Sequence, residues 1–111
     1  KIDTLYKKFL SDEIEFQSIN KLCSSTFWLV SILFKNSYLK NKVVNYLRKK
    51  KVETRPIFRP MSELKIYKSA NKNFQNSINI YERGISLPSY PDLKEKEIRY
   101  ISNAINKVLN K

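Results

Sequence analysis

The sequence contains no histidine, one cysteine and one glycine among its 111 residues. Without histidine, the chain cannot form an imidazole general base, an imidazole metal ligand or a Ser-His-Asp triad. The lone Cys23 excludes an internal disulfide and every multi-cysteine metal site, which fits a reducing cytoplasm. The lone Gly84 excludes the glycine-rich loops that bind nucleotide phosphates in other folds. No apolar run approaches the roughly 20 residues that cross a bilayer, so we expect a small cytoplasmic domain.

Acidic residues are also scarce, because 22 Lys and Arg face only 10 Asp and Glu, a net charge of +12. The excess is local: residues 35–72 hold twelve basic and two acidic residues, a net charge of +10. A field of this sign suits nucleic acid, a phosphorylated ligand or an acidic protein surface. A solvated face rich in lysine is an equally good explanation, and a bias of the genome towards AT-rich codons would raise the lysine content as well.

Apolar spacing predicts three elements in the first half of the chain. Ile2 to Leu10 is an amphipathic helix with no capping residue in front of it. Thr26 to Phe34 is apolar on both alternating sets, which predicts a strand buried on both faces. A second helix begins at Asn36 or Ser37 and ends in a basic turn, residues 48–51, that complements the helix dipole.

The second half predicts a strand, a loop, a helix, a strand and a last helix. Val52 to Phe58 is the first of these strands, and it lies near a sheet edge or ends in a loop, since Pro56 cannot donate a ladder hydrogen bond. Residues 60–73 have little periodicity and form the loop. Gly84 ends a third helix in the left-handed C′ position, and Asp92 with Glu95 forms a capping box for the last one. The resulting order predicts an α/β or α+β layer, a small sheet with helices packed on it.

Few residues are candidates for chemistry. Cys23 has no histidine to activate it and is better explained as a small buried hydrophobe. The carboxylate pairs at 13 and 15 and at 95 and 97 lie in polar surroundings and are better explained as surface groups. Thirteen tyrosines and phenylalanines could stack on nucleic-acid bases, but most fall on apolar stripes. Arg55 and Arg59 flank a proline-bracketed strand end, where the planar guanidinium can bind phosphate or carboxylate in a bidentate manner or form a surface ion pair.

Around these arginines the sequence resembles the C-terminal part of the DegT/DnrJ/StrS aminotransferases. The resemblance is carried by Trp28, by the block YLRKKKVETRP that ends at Pro56, by Arg59-Pro60, by Tyr67, and by YERGISLPSYPDL from Tyr81 to Leu93. Within this family, the sequence resembles the perosamine synthetase-like members. The resemblance implies the small domain of the aspartate aminotransferase fold, with residues 1–10 as the end of an inter-domain helix and 11–111 as the domain itself.

The resemblance also implies a parent enzyme with pyridoxal phosphate (PLP) as its cofactor. Such an enzyme moves an amino group from glutamate to a keto-sugar on a nucleoside diphosphate, for lipopolysaccharide or other surface polysaccharide, and it works as a homodimer. The lysine that binds PLP belongs to the large domain, so we expect this chain alone to be inactive. We expect its contribution to be substrate contact, from Arg55 first and from Phe58, Arg59 and Tyr67 as neighbours. Ser62 departs from the family, which often has histidine two residues after the proline.

Two alternatives stay open at this level. The segment of charge +10 and exposed aromatic residues would also suit a small basic nucleic-acid-binding module, whose affinity falls steeply with salt. A domain that pairs with a separate polypeptide would instead expose an apolar face.

Overall fold

A computed structural model describes residues 1–67 and 74–110 of the chain. It contains an antiparallel sheet of four strands in the order β1-β2-β4-β3. The outer strands are only two residues long, whereas the central pair is longer. The strands are β1 (Glu15–Phe16), β2 (Val30–Leu33), β3 (Arg55–Pro56) and β4 (Gly84–Leu87).

Four helices accompany this sheet within the described residues. Two single turns of 3-10 helix, Met61–Glu63 and Lys65–Tyr67, lie between β3 and the third helix. The helices are α1 (Ile2–Phe9), α2 (Ser37–Lys49), α3 (Gln75–Arg83) and α4 (Glu95–Leu109). The helices and the strands β2, β3 and β4 follow in the order that the sequence predicts, and the short strand β1 is an addition between α1 and β2.

The hydrophobic core lies where α1, α2 and α4 pack together beneath the two central strands. The apolar residues of α4 recur every three or four positions, which predicts one buried stripe. This stripe is buried, with Ile98 and Ile105 at 0% exposure, and consists of Ile98, Ile101, Ala104, Ile105, Val108 and the partly buried Leu109. The opposed strand residues Ile32 and Ile85 are buried above it. Burying a side chain of this size contributes about 1.5–3 kcal/mol. The fully enclosed large residues of this core are Tyr6, Ile32, Phe34, Val43, Leu47, Ile98 and Ile105.

Helix α2 begins as the sequence predicts. The side chain of Asn36 accepts a hydrogen bond from the Leu39 amide at 2.8 Å, which satisfies one of the free N–H groups of the first turn. The start of α4 differs from the prediction. Its N-cap is Lys94, and the carboxylate of Glu97 accepts the Lys94 amide at 2.8 Å. The capping box from Asp92 and Glu95 was therefore wrong, because the helix begins two residues later than that box requires.

The strand predicted over Thr26 to Phe34 is shorter than expected. The backbone before Val30 is not paired, and Phe27 has a φ of 50°, in the left-handed region. A residue in that conformation cannot continue a strand. Trp28 is consequently 73% exposed and does not lie in a buried strand. The remaining strand is central, as predicted, since β2 pairs with both β1 and β4.

Gly84 is not in the left-handed conformation that the sequence predicts. Its φ is −102°, so the chain passes directly from α3 into β4. A Cβ atom here would lie 2.5 Å from Ile57 Cγ1, 2.7 Å from the Ile80 carbonyl oxygen and 2.8 Å from Leu33 Cδ2. Glycine is therefore required because neighbouring groups approach too closely, not because of backbone freedom.

The helix that ends in a residue of left-handed conformation is α2, not α3. Lys51 has a φ of 58° and follows the C-cap residue Lys50. Its amide donates to the Arg48 carbonyl at 3.0 Å, and the Val52 amide donates to the Leu47 carbonyl at 3.0 Å. This pair of hydrogen bonds is the Schellman motif, in which the left-handed residue is usually glycine.

Two further predictions concern the loop and the membrane. The loop predicted over 60–73 contains the two 3-10 turns up to Tyr67, and residues 68–73 lie outside the described part. Of the helices in residues 1–67 and 74–110, none has the length and apolar character needed to cross a membrane.

Candidate functional site

A groove of about 810 Å³ opens at one end of the sheet. Its walls are the end of α2 with the turn that follows, the first two turns of α4, and the segment after β4. Arg55 reaches it from β3, and Trp28 and Leu29 line it in front of β2. The groove therefore collects residues from five separate parts of the chain.

Basic side chains predominate among the charged groups of the groove. Lys50, Lys51, Arg55 and Lys96 line it together with two carboxylates, those of Glu53 and Glu97. Glu97 is engaged by the Lys94 amide, and the Lys50 ammonium lies 5.8 Å from the centre of the Tyr46 ring. Lys51, Arg55 and Lys96 have no side-chain hydrogen bond or ion pair with any residue that the structure describes. These three cations can therefore contact an anion in the groove.

Three exposed aromatic side chains share the same groove. Trp28 is 73% exposed, Tyr90 is 52% exposed and Tyr100 is 51% exposed. They come from the segment before β2, the segment after β4 and the second turn of α4. An aromatic face in water, next to a cation, can stack on a planar ring of a ligand.

Arg55 is fixed in register by the sheet. It lies opposite Ser86 on β4, and Ser86 lies opposite Ser31 on β2. Directly opposed residues share one face of a sheet, so these three side chains form a polar row across three strands. The hydroxyls of Ser31 and Ser86 are 2.9 Å apart and hydrogen-bonded. The row contrasts with the apolar pair Ile32 and Ile85 on the opposite face.

The other three predicted substrate residues do not line this groove. Phe58 is 73% exposed and Arg59 is also exposed, two and three positions after β3 ends. Tyr67 is 53% exposed at the end of the second 3-10 turn. The structure thus places Arg55 in the groove and leaves Phe58, Arg59 and Tyr67 on an adjoining exposed segment.

The wall formed by the segment after β4 is held by two long-range hydrogen bonds. The hydroxyl of Tyr6 on α1 donates to the Pro88 carbonyl at 2.9 Å. The Ser89 hydroxyl donates to the Trp28 carbonyl at 2.9 Å. Burial raises the pKa of Tyr6 well above its ordinary value, and the nearby Tyr90 hydroxyl adds to the effect. The phenol of Tyr6 therefore remains a proton donor throughout the neutral range.

Sequence reasoning missed most residues of the groove. The sequence predicts Trp28 in a buried strand and Lys51 in the basic turn that ends α2. It does not mark Tyr90, Lys96 or Tyr100 as site residues. The available signal was the position of Tyr100 off the apolar stripe of α4, which predicts an exposed aromatic ring.

The remaining chemical candidates occupy structural or surface positions. Glu15 pairs with Arg83 at 2.6 Å, and Glu95 pairs with Arg99 at 3.1 Å. Cys23 is exposed, so its interpretation as a buried hydrophobe was wrong. In the part of the chain that the structure describes, no three potential ligands from His, Cys, Asp and Glu cluster as they would around a metal ion.

The residues of the groove do not form a PLP site by themselves. PLP needs a lysine amine to bond with, held out of water, and a carboxylate for the ring nitrogen. None of the lysines in residues 1–67 and 74–110 is buried, and Lys50, Lys51 and Lys96 of the groove are all exposed. Among the described residues, the groove thus holds no enclosed lysine of the kind that this role requires.

Comparison with known proteins gives a matching family and a relative. A family model described as the DegT/DnrJ/EryC1/StrS aminotransferase family matches residues 1–106. GDP-perosamine synthase of Escherichia coli O157:H7 is 31% identical over 105 residues, which are 95% of this chain and 29% of that protein. The chain therefore spans less than a third of that relative's length.

Solved structures share the fold. The aminotransferase TlmJ of Streptoalloteichus hindustanus superposes with a TM-score of 0.86 at 13% identity, over 98% of this chain and 30% of that one. Spr1654 of Streptococcus pneumoniae, assigned as a sugar aminotransferase, gives 0.81 at 20% identity in its PMP form, over 98% of this chain and 29% of that one. The same protein has also been solved in a PLP form. From the family match and the identity to its relative, the chain belongs to the DegT/DnrJ/EryC1/StrS aminotransferase family.

Proposed function

We propose that this chain is the small, C-terminal domain of a PLP-dependent aminotransferase that acts on a keto-sugar linked to a nucleoside diphosphate. Glutamate would supply the amino group, and the reaction would take place in the cytoplasm. The amino sugar would be a precursor of lipopolysaccharide or another surface polysaccharide. Membership of the aminotransferase family supports this proposal, as does the likeness to a protein named GDP-perosamine synthase. The same membership does not favour a nucleic-acid-binding module.

The domain's own contribution would be to bind the substrate's diphosphate. The observation that carries this role is the guanidinium of Arg55, exposed in a groove that also holds the free cations of Lys51 and Lys96. A guanidinium donates two parallel hydrogen bonds to one phosphate, which orients the phosphate as well as binding it. Lysine provides a less directional charge beside it. The groove would thus hold one end of the substrate while the chemistry occurs elsewhere.

The remainder of the enzyme would carry the cofactor and cover the apolar segment after β3. Phe58, Met61 and Ile66 are 73%, 61% and 81% exposed, and Tyr67 ends this segment. The relative from Escherichia coli has more than twice as much sequence outside the matched part as inside it, which supports a large second domain as the occupant. Residues 1–10 would end the helix that joins the two domains, residues 11–111 would form the small domain, and two subunits would form a homodimer.

Steady-state kinetics of the enzyme that joins this domain to a lysine-bearing domain would test the proposal. The assay would follow glutamate-dependent amination of a GDP-linked 4-keto-sugar. We expect Arg55→Ala to raise the KM for the sugar nucleotide at least about tenfold, because a charged hydrogen bond contributes roughly 1.5–3 kcal/mol. The KM for glutamate should not change. Lys42→Ala, which removes an exposed cation of α2 outside the groove, is the matched control. An unchanged sugar-nucleotide KM in Arg55→Ala would remove Arg55 from the substrate site.

A further inference from the structure

Trp28 is the only tryptophan of the chain, and its indole is 73% exposed at the groove. Tryptophan is highly buried in most folded proteins, because its large ring loses most by remaining in water. The core beneath the sheet is built without it. The indole is therefore not part of this core, and the groove leaves it open to a ligand.

The backbone around Trp28 fixes where the indole lies. Phe27 has a φ of 50°, an uncommon and strained conformation for a bulky aromatic residue. The Ser25 hydroxyl oxygen accepts the Phe27 amide at 3.1 Å, and the Trp28 carbonyl accepts the Ser89 hydroxyl at 2.9 Å. The bend and the bond across to Ser89 together turn Trp28 out of the strand and hold its backbone against the segment after β4.

Lys51 shows the same pattern in the turn after α2. It occupies the left-handed position after α2, where glycine would be less strained. Its side chain lines the groove with Arg55. The two residues with positive φ in residues 1–67 and 74–110 are thus Lys51, which lines the groove, and Phe27, which immediately precedes a residue that does.

On the basis of the proposed function, we propose that the groove is the nucleotide subsite, with the base stacked on the indole of Trp28 and the phosphates bound by Arg55 and Lys51. A free phosphate would need the cations but not the exposed ring. A nucleotide needs both, since its base has an aromatic face and its phosphates are anionic. The assignment explains why Trp28 is exposed and why a lysine occupies a glycine position.

The indole itself reports on this subsite. We would titrate the purified 111-residue chain with GDP, UDP, guanosine and inorganic pyrophosphate and record its tryptophan fluorescence, which comes from Trp28, the single tryptophan of these 111 residues. We expect saturable quenching by GDP or UDP, weaker quenching by guanosine, and competition by pyrophosphate without quenching. Absence of saturable quenching by both nucleotides would overturn the proposal, as would equal quenching by pyrophosphate. Tighter binding of a short single-stranded oligonucleotide than of either nucleotide would overturn it in favour of nucleic acid.

Variants separate stacking from folding. By calorimetry, Trp28→Ala should bind the tighter nucleotide about tenfold more weakly, the usual effect of losing one stacked base. Tyr38→Ala is the matched control, since Tyr38 is 75% exposed on α2 outside the groove. Equal affinity of Trp28→Ala and the unaltered protein would reject the subsite.

The amination assay distinguishes this failure from a failure of the proposed function. If the enzyme aminates the sugar nucleotide normally while Trp28→Ala does not change nucleotide affinity, the proposed function is retained and the nucleotide subsite is rejected. If nucleotides quench the fluorescence of Trp28 but no amination occurs, the subsite is retained and the proposed reaction is rejected.

Discussion

The packed side of the sheet and the groove at its end are built from different kinds of residue. Beneath the sheet, aliphatic side chains of α2, α4 and the central strands are enclosed, with Ile98, Ile105 and Val43 at 0% exposure. In the groove, the aromatic rings are half or more exposed and the cations Lys51, Arg55 and Lys96 have no partner among the described residues. Lys51 also has a left-handed backbone conformation, which is unfavourable for a residue other than glycine. The difference indicates that folding depends on the packed side and that the exposed cations and aromatic rings of the groove are free to serve binding.

The largest effect should follow from a cavity in the packed side. Ile105→Ala removes a fully enclosed side chain from the middle of α4, so we expect a loss of about 2–5 kcal/mol in the free energy of unfolding. Urea denaturation followed by circular dichroism measures it. Asn103→Ala, at an exposed position of the same helix, should change the free energy by less than about 0.5 kcal/mol. Similar losses in both variants would contradict the assignment of the core.

The next effect tests why Gly84 is glycine. Gly84→Ala places a Cβ within 2.5 to 2.8 Å of three neighbouring atoms, so we expect a loss of about 1–3 kcal/mol from overpacking. Gly84→Asn should destabilise the protein at least as much, because asparagine tolerates a left-handed backbone but its Cβ atom makes the same close contacts. Thermal unfolding of the two variants compares them. A clearly milder Asn variant would show that backbone conformation, not space, selects glycine here.

A smaller and pH-dependent effect should appear where the packed side supports the groove. Tyr6→Phe removes the hydrogen bond to the Pro88 carbonyl, which should cost about 1 kcal/mol at neutral pH. Burial raises the pKa of Tyr6 in the folded protein, so the unfolded chain loses this proton first as the pH rises. The stabilising contribution is therefore complete below the unfolded pKa of about 10 and decreases above it.

The measurement is the difference in unfolding free energy between the unaltered protein and Tyr6→Phe, since the many lysines titrate equally in both. That difference should be constant from pH 7 to 9 and should shrink above pH ~10. A difference that grew with pH would mean that the phenol is ionised more easily in the folded state, contrary to its burial.

The smallest effect has opposite signs on stability and binding. Lys51→Gly relieves the left-handed backbone and should stabilise the protein by about 0.5–1 kcal/mol. It should also weaken nucleotide binding a few-fold, because a cation of the groove is lost. Lys49→Gly is the matched control: it removes the same charge within α2, and glycine in a helix should destabilise by about 1 kcal/mol. Destabilisation by Lys51→Gly would show that the lysine stabilises the fold.

The sequence contains enough to predict the elements and the packed side, because these depend on periodicity. The stripe of α4 and the cap at Asn36 follow from the spacing and chemistry of nearby residues. The exceptions arose from contacts between distant segments. Gly84 is selected by Ile57 and Leu33, and Trp28 leaves its strand through a bend held by Ser89. Such contacts have no signature in local sequence.

The same distinction applies to the candidate site. Arg55 could be named as a candidate because it stands in a contiguous motif, the block that ends at Pro56, and the structure places it in the groove. Tyr90, Lys96 and Tyr100 lie 35 or more positions further along the chain and meet Arg55 only through the fold. The groove as a unit therefore required the structure.

The most direct test of the central claim pairs two measurements on one variant, Arg55→Ala. The account predicts that its affinity for GDP or UDP, whichever binds tighter, falls about tenfold by calorimetry. It also predicts that the free energy of unfolding changes by less than about 0.5 kcal/mol, because Arg55 is exposed and outside the core. Unchanged affinity, or a loss of affinity that merely follows a loss of stability, would contradict the separation of the binding groove from the packed side.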